Sequence, residues 1–116
     1  MNTRQLIIVL AISVILVRIA DAHAFLDHAD PKVGSTIHEA PSQLTLWMTE
    51  NLEPAFSKLQ VFDAKGTEVD SKDVKVSGNV ITVSLPKLAP GKYHVSWQVV
   101  AVDTHRTSGT FDFTIQ

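Results

Sequence analysis

The chain has 116 residues, 45% of them hydrophobic and 19% charged, with a formal charge of −2 and no cysteine. That length holds one small domain, and the missing cysteines exclude disulfide staples, thiolate metal sites and cysteine nucleophiles. Its 10 basic and 12 acidic residues are spread along the chain and leave no basic patch for nucleic acid.

Arg4 precedes an apolar run of 12 residues, Leu6 to Val17, and Ala20-Asp21-Ala22 then gives the small-x-small pattern that signal peptidase reads. Residues 1–22 are therefore expected to be a secretory signal peptide, and residues 23–116 the exported domain. The apolar run is shorter than the roughly 17–25 residues of a membrane-spanning helix, and Arg18 ends it. The mature form is thus expected not to be membrane-embedded. Cleavage after Ala22 would leave His23 as the first residue. An amino-terminal histidine offers two nitrogens, the free α-amine and the imidazole Nδ1, which close a six-membered chelate ring on a metal. No internal histidine can do this.

The rest reads as short strands. Leu44, Leu46 and Met48 alternate with Thr45, Trp47 and Thr49, and Phe56, Leu59, Val61 and Phe62 make a second apolar run. Asn51 to Lys58 contains Pro54 and is expected to be a loop or a single turn. Val74 and Val76 lead into Ser77-Gly78-Asn79, and Val80 to Leu85 runs back, so 73–85 is a predicted hairpin. Tyr93, Val95, Trp97 and Val99 share a core face, with His94, Ser96 and Gln98 opposite. Ala89-Pro90-Gly91-Lys92-Tyr93 resembles the tyrosine corner of immunoglobulin-like sandwiches. Arg106 to Gly109 reads as a turn, and Phe111, Phe113 and Ile115 define a last strand with one buried face. Trp47 and Trp97 are both expected in the core, while His28, His38 and His94 read as surface residues. With Pro41, Pro54, Pro86 and Pro90 as punctuation, the pattern predicts an all-β fold, an immunoglobulin-like Greek-key sandwich of about seven strands.

The residues that suggest chemistry are His23, Glu50, Asp103 and His105. In an extended segment Asp103 and His105 project to one side and can reach one ion. With His23 they supply three nitrogens and an oxygen, a set that suits Cu(II) in a tetragonal arrangement better than structural zinc. Unbroken alternation from Trp97 would point Asp103 into the core, where an unpaired carboxylate is costly. Either the strand ends near Val102, or a bulge re-aims the triplet outward, or a bound cation compensates; the first is expected, since Arg106 to Gly109 reads as a turn.

These features resemble the CopC family of periplasmic copper-resistance proteins over essentially all of residues 23–116. The resemblance is carried by His23, Asp30-Pro31, Gly34-Ser35, Ala40-Pro41, Met48-Thr49-Glu50-Asn51-Leu52 and Ala89-Pro90-Gly91-Lys92-Tyr93. Its most specific part is Trp97-Gln98-Val99-Val100-Ala101-Val102-Asp103-Thr104-His105. It implies a periplasmic carrier or buffer, not an enzyme, that holds one Cu(II) per chain through the His23 amine and ring, Asp103 and His105. Glu50 falls where the family carries an acidic residue near the copper, for an outer contact or a hydrogen bond to the terminal amine. The resemblance also implies a role in copper resistance, homeostasis or delivery to an inner-membrane copper transporter of the CopD type. After residue 22 the only methionine is Met48, so a separate thioether site for Cu(I) is not expected. Proton competition at the amine and imidazoles should weaken binding as pH falls through about 6. Two other readings stand beside it: a histidine-brace copper oxidase or monooxygenase built on the terminal and a second histidine, and a metal-free immunoglobulin-like interaction module.

Overall fold

The computed structural model describes residues 24–116, so the expected signal peptide and His23 lie outside the described residues. The described residues form eight strands: β1 Leu26–Asp30, β2 Thr36–Ile37, β3 Gln43–Met48, β4 Lys58–Phe62, β5 Lys75–Ser77, β6 Val80–Ser84, β7 Gly91–Val100 and β8 Arg106–Ile115. They make two four-stranded sheets, ordered β1-β3-β6-β5 and β2-β8-β7-β4. The first order is that of the ABED sheet of an immunoglobulin constant domain, and β4-β7-β8 is its CFG sheet. The strand beyond the expected number is β2, two residues long and parallel to β8.

Side-chain alternation decides which face of each strand is buried. Leu44, Leu46 and Met48 from β3 and Ile81 and Val83 from β6 meet Val95, Trp97, Val99, Phe111 and Phe113 from the other sheet. Each fully buried large side chain contributes about 1.5–3 kcal/mol by leaving water. The predicted hairpin closes at Gly78-Asn79, with Gly78 at φ +61°, the conformation its first turn position requires. Tyr93 is buried and its hydroxyl donates to the Ala89 carbonyl, completing the tyrosine corner. Burial, with a smaller contribution from Asp63, pushes the phenol up from its ordinary value, so it stays protonated as a donor. Pro54–Phe56 forms a single 3₁₀ turn, as expected of that proline-bearing stretch.

Three expectations are corrected. Arg106 to Gly109 is not a turn but the first part of β8, paired with β7 from Val100↔Arg106 onward. The glycine is there for packing: a methyl at position 109 would lie 2.5 Å from the Trp97 ring, and its absence makes room for the indole. Trp47 is on the outer face of β3 rather than in the core, stacked on His28 with centroids 4.3 Å apart and planes 6° from parallel. Phe56, counted with the second apolar run, is 62% exposed. Among the described residues, no helix is long and apolar enough to cross a membrane.

Candidate metal centre

The β7–β8 hairpin positions both Asp103 and His105. Its strands pair over ten positions and close at Val100↔Arg106, leaving residues 101–105 as the connection. There the Thr104 N–H donates to the Ala101 carbonyl at 2.8 Å, and the Ala101 N–H to the His105 carbonyl at 3.0 Å. Thr104 sits at φ +76°. This is a type I turn followed by a left-handed residue, a common three-residue hairpin connection. A β-branched residue is disfavoured there, and such strain clusters at functional sites. The turn removes the difficulty posed by strand alternation. The strand ends at Val100, before the triplet, and Asp103 and His105 lie on the outside of the hairpin tip.

The two side chains meet each other. Asp103 Oδ1 accepts from the His105 backbone N–H at 3.1 Å, and Oδ2 lies 3.1 Å from His105 Nδ1. Two metal bonds of about 2.0–2.2 Å at a right angle separate their donor atoms by about 3 Å. A carboxylate oxygen and a ring nitrogen at the observed spacing therefore fit adjacent corners of a tetragonal site. In the absence of a metal, a proton on Nδ1 lets the same contact act as a hydrogen bond that orients the ring.

Two other stretches converge on this end of the sandwich. Leu52 bridges Ala101, the Glu53 N–H donates to the Val100 carbonyl at 2.8 Å, and the Val102 N–H donates to the Asn51 carbonyl at 3.0 Å. Ahead of β1, Ala24 is fully buried and its carbonyl accepts from the Thr107 hydroxyl. Next to it, the Phe25 N–H donates to Thr49 Oγ1 at 2.8 Å, and the Thr49 N–H returns a 2.8 Å bond to the Phe25 carbonyl. The chain just after position 23 is thus tied to β8 two residues beyond His105 and to the bend that follows β3, at the residue before Glu50.

Among the described residues, no group of three or more His, Cys, Asp or Glu side chains is close enough to hold a metal. The structure brings together Asp103 and His105; Glu50 is exposed in the bend after β3 and makes no such group with them. His23 lies outside the described residues. The remaining histidines are accounted for locally. His28 contacts Asp27 at 2.6 Å and stacks on Trp47, His94 bonds Asp112 across the strands, and His38 is exposed. Thr107 and Thr49 were not singled out by sequence reasoning. The only signal was a threonine two residues from His105 and another beside Glu50, too weak to notice without the fold.

Residues 26–116 match the CopC domain family. The chain is 31% identical over 99 residues to Protein YobA of Escherichia coli strain K12, covering 82% of this chain and 80% of that one. It is 32% identical over 108 residues to Copper resistance protein C of Escherichia coli, covering 84% of each. In three dimensions it is similar to the crystal structure of CopC from Methylosinus trichosporium OB3b, with a TM-score of 0.76 and 29% identity over 81% of this chain and 94% of that one. Sandwich topology, tyrosine corner, hairpin-tip Asp-x-His and these similarities converge, and the chain belongs to the CopC family.

Proposed function

We propose that this protein is an exported copper(II) carrier or buffer of the periplasm, acting in copper resistance, homeostasis or delivery to a membrane copper transporter. One Cu(II) is held by the His23 amine and imidazole, Asp103 and His105, with Glu50 as an outer contact to the ion or the terminal amine. The observation that carries this reading is the hydrogen bond from Thr107 to the Ala24 carbonyl. It fixes the residue joined to His23 beside the strand that begins one residue after His105. The Asp103–His105 spacing supports it too, because two donors already stand as neighbouring ligands would. A pair alone makes a weak site. A terminal histidine would add two nitrogens at once, and an all-nitrogen-and-oxygen set favours Cu(II) over softer ions. Relatives named for copper resistance agree with copper as cargo.

Holding and releasing an ion needs no substrate face and no reacting group, only donors that are set in advance and open to a recipient. His105 is 59% exposed and Asp103 30% exposed, which suits an ion that must be handed on. The test is the intact mass of the exported protein, measured in native buffer with and without Cu(II). The expected result is a chain beginning at His23 that gains one copper. A chain that begins elsewhere, or gains none, would overturn the reading.

A further inference from the structure

We infer that Thr107 and Thr49 are positioning residues for the amino terminus, two hydroxyls, one on β8 and one in the bend that follows β3, that set the chain entering the metal site before any ion arrives. The inference rests on the function proposed above and deepens it. Chain termini fray unless something ties them down, and here the β1–β3 ladder starts only at Leu26↔Met48. The two residues ahead of it have no ladder position, yet both are anchored. The Ala24 methyl is fully buried. The Ala24 carbonyl accepts from Thr107, at the second position of β8, and Phe25 exchanges bonds with Thr49 through its N–H and its carbonyl.

The placement of Thr107 gives the clamp a purpose beyond fold stability. The hairpin tip that orients His105 runs directly into the strand that carries this hydroxyl. One short rigid piece of backbone therefore fixes both the Asp103–His105 pair and the residue joined to His23. A chelating amine gains most when its backbone is already ordered, since ordering one residue only on capture costs roughly 5- to 30-fold in affinity.

Thr107→Val keeps the shape and removes the donor, while Thr107→Ser keeps the donor. Both are made in the exported protein beginning at His23 and compared by Cu(II) affinity in competition with a chelator. In the metal-free protein, hydrogen exchange is followed at the Phe25 amide, with the Leu46 and Val95 amides as controls for the fold. The valine variant should bind Cu(II) roughly 5- to 30-fold more weakly and lose protection at Phe25 with the controls unchanged, and serine should restore both. Wild-type affinity in the valine variant, or unchanged protection at Phe25, overturns the inference. A wild-type protein that binds no Cu(II) overturns the proposed function instead, so the two failures can be told apart.

Discussion

The β7–β8 hairpin carries two histidine–aspartate pairs, one along its strands and one at its closed end, and the two are set in different surroundings. His94 and Asp112 face each other across the ladder in register. They lie six residues from the closing pair, about 20 Å along the strand. The Asp112 carboxylate also meets the Lys92 ammonium at 3.5 Å. The hydrogen bond to His94, with a smaller contribution from the Lys92 ammonium, holds its carboxyl below the usual carboxylate range. That carboxylate serves an imidazole and a cation already, and the lysine would repel an arriving Cu(II). Asp103 and His105 occupy a turn instead, with one carboxylate oxygen bonded to the backbone of the same turn and the chain entry at Ala24 fastened close by. An imidazole beside a carboxylate is common on protein surfaces; what separates the two pairs is the bound Ala24 carbonyl, fastened near the second and not the first.

Substitutions should separate them sharply. The largest effect is expected from His105→Ala or Asp103→Asn, each weakening Cu(II) binding by about 100-fold or more, beyond what altering a ligand's support alone costs. His105 is exposed, and asparagine at 103 keeps the oxygen that accepts from the His105 backbone N–H, so thermal unfolding of the metal-free protein should barely change. His94→Ala should leave Cu(II) affinity within about twofold of wild type. A large loss of affinity in the His94 variant would mean that the ion sits on the strands rather than at the tip.

The smallest expected effect concerns a carboxylate with no histidine at all. Asp73 accepts from the Ser84 hydroxyl and backbone N–H, and these bonds hold its carboxyl below the ordinary value. The folded value lies below the unfolded one, so the contribution is present above the ordinary carboxylate range and is lost as pH falls through the lowered value. The Tm difference between wild type and Asp73→Asn should therefore be steady from pH 7 to pH 5 and shrink below about pH 4. Thermal melts over that range check it, and a difference that grew in acid would contradict the assignment.

Much of the fold was legible because period-2 alternation marks one buried face so clearly. Tyr93 to Val99 and Phe111 to Ile115 behave as read, and Tyr93 closes the corner that its Pro-Gly neighbours predict. The end of β7 was expected near Val102, partly on a turn at Arg106 to Gly109 that the structure replaces with strand, and it falls at Val100. The position of the turn was not legible. Thr107, Ser108 and Gly109 have the composition of a turn, but they lie in a strand, where Gly109 accommodates the Trp97 ring. The true turn depends on Thr104 in a left-handed conformation, and a β-branched residue gives no signal for that. Trp47 was expected in the core, although its own alternation with Leu46 and Met48 already put it outside. In the site, the Asp103–His105 pairing was visible at i, i+2. The two threonines that hold Ala24 and Phe25 were not, because their partners are backbone atoms 83 and 24 residues away, and sequence pattern does not report such contacts.

The claim on which the account turns is that the ion is gripped by a terminal amine one residue before Ala24. The most direct measurement compares Cu(II) affinity for the protein beginning at His23 with that for the same protein carrying one extra glycine ahead of His23. The account predicts a loss of about 100-fold or more, since the added peptide bond removes the free amine from His23 while leaving every side chain in place. Equal affinity in the two forms would contradict it.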